Sequence, residues 1–272
     1  MKRFYQWSPL TYRIAVEKGR LVRRMQDRFS GAVFASMRSD EKLPALWYQH
    51  KSLIRRTLGE VDPVLQENKA VNLALSAPKV NGIVIGPGET FSFWHLVGNC
   101  TARKGYREGL VISGGQPKSG VGGGMCQMTN LIHWMVLHSP LEITEHHHHD
   151  NMDLFPDFGR QIPFGTGTSI AYNYLDYRFV NPLDYPVQLL IWTDDDYLCG
   201  ELRAAKALAV RYHIKAENEY FCREADQVFR CNTIYRSCVD AATGRLLSRE
   251  LIKENHARVM YDPSGLVVQD EK

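Results

Sequence analysis

Cys126 follows three consecutive glycines, Gly122 to Gly124, and opens an apolar segment with helical spacing. A thiol in that position meets the positive end of the helix dipole and unpaired N–H groups, and both favour thiolate. Twenty residues further on stand four histidines, His146 to His149, and then Asp150. His148 or His146 would complete a Cys–His nucleophilic pair, with Asp150 or Asp153 orienting the imidazole. The backbone N–H groups at Cys126 and Gln127, or the Gln127 amide, would supply an oxyanion hole. Gly123 and Gly124 would let a substrate chain approach closely. Such a set suits hydrolysis or acyl transfer at an amide or ester. Against it stands a plainer reading, in which Cys126 is a small buried residue packing a helix on a sheet.

Other residues suggest weaker chemistry. On a strand, His146 and His148 share one face and His147 and His149 the other, so at most two could hold one ion. A third ligand would have to come from Cys126 or His95, and the expectation is no metal and no cofactor. Trp94 and His95, with Tyr172, Tyr174 and Trp192, could line a glycan or peptide groove, although such aromatics are more often core. Glu89 has the chemistry of an acid or base, but its place in a Pro-Gly turn favours a capping role. The glycine-rich GGQPKSGVGGG lacks the Gly-Lys-Ser/Thr ending of a phosphate loop. The six cysteines (100, 126, 199, 222, 231 and 238) form no CxxC pair. Their spacing points to reduced thiols and against a zinc site.

These residues need elements to position them. Met128, Leu131, Ile132, Met135 and Val136 recur at helical spacing, so Gln127–His138 reads as a helix stopped by Ser139-Pro140. Leu141–Glu145 alternates like a strand running back from it. Ser8-Pro9 caps a first helix, in which Leu10, Ile14, Leu21 and Met25 form an apolar stripe opposed by arginines and lysines. That stripe is expected to pack on the core. Leu46–Leu58 reads as a second helix, and a third ends near Pro78. Strands are expected at Gly82–Ile85, Ser169–Tyr174, Tyr177–Val180, Val187–Trp192 and Leu208–His213, with Gly105–Ser113 a loop feeding a strand and Gly200–Ala204 extending a hairpin across TDDDYLCG. Two more flank a turn at Ala241–Gly244. The fold class is α+β, a β-rich core with N-terminal helices and one central helix starting at Cys126. It divides into a basic helical region (1–65), a core (66–204) and a β-rich extension (205–272).

With 272 residues, 44% hydrophobic and 23% charged, the chain can bury a substantial core. No apolar run reaches the ~18–20 residues of a membrane span. The first twenty residues lack the apolar core of a secretory signal, which points to the cytoplasm. The net charge of +3 is uneven: residues 1–60 hold thirteen Lys/Arg against five Asp/Glu, and the rest twenty against twenty-five. The basic front end points to weak contact with an anionic membrane and, lacking a dense basic cluster, not to nucleic acid.

Three blocks carry a family likeness: GPGETFSFW at 86–94, GGGMCQMTN at 122–130 and YRFVNPLDYPVQL at 177–189. In this order they resemble the signature blocks of the VanW family, over roughly Gln66 to Trp192. The resemblance implies a setting in glycopeptide resistance or peptidoglycan-related physiology more than a reaction. It implies a cell-wall precursor or peptide as the partner, bound by an accessory module or processed by a Cys–His enzyme. Two blocks depart from the pattern. The family's RHxHS-like stretch is EHHHHD here, and its GxDA-like block is GTGTSIAYN (Gly165 to Asn173).

Overall fold

The computed structural model describes residues 7–56, 62–113, 116–148, 151–157 and 162–270. Its helices are α1 (Pro9–Phe29), α2 (Pro63–Val80), α3 (Phe93–Val97) and α4 (Met125–Leu137). The strands up to the core's end are β1 (Ala45–Leu53), β2 (Ile83–Ile85), β3 (Thr90–Ser92), β4 (Glu108–Ser113), β5 (Gln116–Val121), β6 (Glu142–Glu145), β7 (Met152–Asp153), β8 (Arg178–Val180), β9 (Val187–Thr193) and β10 (Tyr197–Ala204). Beyond them run β11 (Val210–Glu224), β12 (Gln227–Asp240), β13 (Leu246–Val259) and β14 (Val268–Asp270). The class is α+β and β-rich.

One sheet, ordered β1-β10-β9-β2, carries α2 and α4 on a face. The stripe expected on α4 is its buried side: Met128, Leu131, Ile132, Met135 and Val136 are all at most 2% exposed. Gly200 lets that helix come close, since a Cβ there would lie 2.7 Å from Met135 Cε and 2.9 Å from Leu131 Cδ2. A small sheet, β3-β8-β6, stacks Phe91 on Phe179 at 4.7 Å. Thus the first and third sequence blocks lie side by side, with Phe91 opposite Phe179 in register. Asn181 locks them, its Nδ2 donating to the carbonyls of Ile85 and Tyr185. The long strands β11 to β13, with β14 and β7 at the edges, make a separate antiparallel sheet with parallel ends.

Several expectations change. The helix expected over Leu46–Leu58 is not there among the described residues: Ala45–Leu53 is strand β1, paired along its length with β10, and 57–58 lie outside the described residues. Trp47 and Tyr48 suit a pleated surface, and cross-strand pairing overrides local helical periodicity. The region before residue 66 is therefore not purely helical. Ser169–Tyr174 is a loop, not a strand. Ala171 and Leu175 bond each other across a tight turn in which Asn173 takes φ +51°.

Helix α1 is capped as expected, with Ser8 and Thr11 forming a capping box. Its orientation is the reverse of expectation. Arg23 pairs with Glu145, and the Arg178 guanidinium takes both carboxylate oxygens of Asp27 at 2.7 and 2.9 Å. Gly19 lies against the Tyr174 ring. These contacts turn Leu10, Ile14, Leu21 and Met25 outward, 48–66% exposed. Half-buried ion pairs with good geometry hold the polar side of the helix to the protein.

Candidate functional site

The glycine turn before Cys126 is built for packing. Gly122 and Gly124 take φ +79° and +95°, where a side chain would be strained. A Cβ on Gly123 would overlap the Gly109 backbone, and one on Gly124 would overlap the Lys69 side chain. Asn72 Nδ2 caps the Gly123 carbonyl at 2.9 Å. The space that a substrate chain would need beside Gly123 and Gly124 is therefore filled by Gly109 and Lys69.

Helix α4 begins at Met125, so Cys126 occupies its second position. Cys126 is half-buried, its thiol facing the backbone N–H of Ile170 and its own. Two N–H groups and the dipole pull the thiol pKa down, but burial pushes it up by more, and the net shift is upward. Gln127 turns away: its Nε2 donates to Ser52 Oγ at 3.0 Å and to the Leu53 carbonyl at 2.9 Å. Its amide is spent on tying α4 to β1.

The histidines assemble elsewhere. Cys126, Asn130 and His133 lie along one face of α4, so His133 is about 10.5 Å further along the axis than Cys126. His146 stacks on His133 with ring centroids 4.3 Å apart, and its Nε2–H donates to the Gly167 carbonyl at 2.9 Å. His148 follows at 6.5 Å from His146, turned the same way as a two-residue alternation requires. His147 instead contacts Glu145 at 2.9 Å. Among the described residues no histidine hydrogen-bonds the Cys126 thiol, and no histidine shifts its titration. His149 and Asp150 lie outside the described residues. Asp153, the other carboxylate considered for orienting an imidazole, is held by Arg230 and by Tyr261 Oη at 2.9 Å.

Around His133, His146, His147 and His148 lies a cavity of about 390 Å³, closed by Gly165, Thr166 and Leu175 and by Ile252 and Lys253 of β13. A volume of that size takes a small ligand or the end of a larger one. Its floor is electrically quiet. Burial, then His146, His148 and Lys253, hold His133 well below the ordinary histidine range, so its ring is neutral. Tyr177 Oη sits 3.1 Å from His133 Nδ1, and burial keeps its proton on. A neighbouring network, Thr129 Oγ1 to Thr168 Oγ1 at 2.5 Å and Thr168 to Asn130 Oδ1, fixes the loop between the cavity and Cys126.

Trp94 and Glu89 have scaffold positions. Trp94 is 8% exposed, donates Nε1–H to the Leu175 carbonyl at 2.9 Å and meets Tyr172 edge-on. Trp192 lies apart, beside Lys42 at a second, smaller hollow. Glu89 Oε2 accepts the Gly86 N–H at 2.7 Å and closes the turn. His95 stacks on Phe34 at 4.9 Å.

Two residues with unusual environments escaped the sequence reading. Lys69 is 6% exposed on α2, its stem against Gly124, and burial followed by Arg56 and Arg55 pushes its pKa down to about 7. One turn earlier, Gln66 is equally buried, and neither of its amide atoms has a partner among the described residues. Only the helical period of α2 could have marked them, and it gives no sign of which polar side chains turn inward.

Fold and site together define a β-rich α+β protein organised on three sequence blocks, with a half-buried thiol at a helix start and a histidine-lined cavity. A family model described as VanW like protein matches residues 68–203. The chain belongs to the VanW family. It is 31% identical over 244 residues to the vancomycin B-type resistance protein VanW of Enterococcus faecalis, covering 89% of this chain and 88% of that one. It is also 31% identical over 121 residues to the uncharacterized protein YoaR of Bacillus subtilis, covering 44% of this chain and 38% of that one. No solved structure matches it.

Proposed function

We propose that this chain serves glycopeptide resistance or peptidoglycan-related physiology as an accessory module. In this reading it binds the anionic end of a cell-wall precursor in the His133–His146–His148 cavity. The setting rests on the 31% identity to a vancomycin-resistance protein over nearly the whole chain. The mode rests on one observation: the half-buried Cys126 thiol, its pKa raised by desolvation, hydrogen-bonds no histidine among the described residues. Imidazoles and the Lys253 ammonium lining a cavity suit a carboxylate or phosphate, which such precursors carry.

The same reading gives α1 a membrane role. Its outward apolar stripe is flanked by exposed Arg13, Lys18, Arg24 and Arg28. An apolar face edged with cations fits the interface of an anionic bilayer. Contact at a cytoplasmic leaflet would place the module where precursors are handed on.

Catalysis through Cys126 is the second reading, favoured by the two N–H groups directed at its sulfur. Vancomycin susceptibility of a resistant host separates the two. Replacing His146 and Lys253 together by Ala lowers resistance under the binding reading, whereas Cys126→Ala leaves it unchanged. Loss of resistance in Cys126→Ala alone, with normal protein level, overturns the binding reading.

A further inference from the structure

We infer that the C-terminal sheet carries a zinc-class metal site built from Cys222, Cys231 and His256, with Glu224 beside the fourth position. The site lies beyond residues 68–203, the stretch shared with the family model.

The sheet register creates it. Cys231 on β12 stands opposite Tyr220 on β11 and opposite His256 on β13. Cys222 lies two residues past Tyr220 and therefore points to the same face. One sulfur, imidazole or thiol donor thus comes from each of three neighbouring strands. Their ligand atoms lie within 4.8 Å of one another. The two sulfurs are 3.8 Å apart. A tetrahedral ion with Zn–S bonds of ~2.3 Å spaces two thiolates by about 3.8 Å, so the pair needs little movement to coordinate.

The surrounding residues support coordination. Phe229, adjacent in register, stacks on the His256 ring at 4.5 Å and 17°, fixing its plane. Glu224 reaches His256 Nε2 at 2.6 Å and lies 3.7 Å from Cys222 Sγ. That carboxylate either fills the fourth position or orients the imidazole, and both uses are common at such sites. Two thiolates and an imidazole select a borderline-soft tetrahedral ion over calcium or magnesium. A disulfide fits less well. Cys222 faces Phe229 directly, and Cys231 is its diagonal neighbour, and diagonal Cα atoms lie ~7–8 Å apart, beyond the usual disulfide span. Binding releases the thiol protons to solvent and clips β11, β12 and β13 together.

The test is anaerobic titration of the reduced, chelator-treated full chain with Co²⁺, followed by displacement with Zn²⁺. The expected result is one equivalent per chain, with thiolate-to-cobalt charge-transfer and tetrahedral d–d absorption. Cys222→Ser should weaken binding on the order of 100-fold, and Glu224→Gln about tenfold. Cys238→Ser, a change on β12 outside the cluster, should leave it intact. His256 is exposed, so His256→Ala keeps the test valid if a cysteine variant misfolds, and it too should weaken binding on the order of 100-fold. Absorption that is absent in the wild type, or unchanged in Cys222→Ser or His256→Ala, overturns the site. So does a Cys222–Cys231 disulfide in protein purified without reductant.

Discussion

The imidazoles of His133 and His146 lie face to face, ring centroids 4.3 Å apart and planes 13° from parallel. Two rings so close cannot both carry charge at reasonable cost, and burial makes His133 the neutral partner. The cavity is therefore assembled around a ring that must stay unprotonated. Acid should disturb it.

His138, at the other end of α4, has the same character. Burial, set against its bond to the Trp134 carbonyl, brings its pKa to about 4. A histidine with a lowered folded pKa contributes stability that is present above ~6.5 and lost as pH falls towards 4, because the unfolded chain binds more protons in that window. His138 alone should cost about 2–3 kcal/mol across that range, and His133 adds to it in the same direction. Urea unfolding at pH 7.5 and pH 4.5 checks this. His138→Gln should flatten the dependence, and equal stability at the two pH values would contradict it.

Lys69 has the same sign in a more alkaline window. Its pKa is lowered from 10.5 to about 7, so folding excludes a proton between those values and stability rises as pH increases through them. Lys69→Met removes the buried amine at constant volume. It should stabilise the protein by about 3–5 kcal/mol at pH 7 or below and much less at pH 10. Thermal unfolding of both proteins at the two pH values measures the difference.

The turn before Cys126 allows a sharp packing test. Gly123→Ala places a methyl group into the Gly109 backbone, which cannot move like a side-chain tip. The expected loss is about 3 kcal/mol or more. Gly88→Ala is a useful contrast: φ is +73°, but nothing lies within 4 Å of the new atom, so only the backbone cost of ~1 kcal/mol applies.

Helix α1 should bring the protein to anionic vesicles. Cosedimentation with phosphatidylglycerol-containing vesicles should fall at least about tenfold on Leu10→Glu with Leu21→Glu, and should weaken with added salt. Binding to neutral vesicles of equal strength would contradict the electrostatic part.

How much of this was legible in the sequence follows from which forces act locally. The α4 stripe, the Ser8 cap and the β12–β13 hairpin are set by local period and turn chemistry and could be read directly, whereas β11 was read only as far as His213 and runs on to Glu224. The strand at Ala45–Leu53 could not, because its identity depends on β10, some 150 residues away. The direction of α1 was hidden for a related reason. Apolar spacing predicts burial, yet Arg23, Asp27 and Gly19 dock the opposite side. The grouping of Cys222, Cys231 and His256 was hidden for the same cause, since they become neighbours through register and not through sequence. The Cys–His pairing also depended on tertiary geometry. Helix α4 sets His133 two turns from Cys126, and His146 follows His133.

Thiol chemistry provides a further check. Peptide-resolved iodoacetamide labelling of native protein should modify Cys126 at least about tenfold more slowly than in the unfolded chain, with its rate rising at higher pH than for the unfolded thiol. Rapid labelling at pH 7 would restore it as a nucleophile.

The central claim is that the histidine cavity binds and Cys126 does not act. Calorimetric titration of the full chain with a soluble muropeptide ending in a free carboxylate tests it most directly. The account predicts binding that weakens about tenfold or more in His146→Ala with Lys253→Ala, is unchanged in Cys126→Ser, and proceeds without turnover. No binding to the wild type, or turnover abolished by Cys126→Ser, would contradict it.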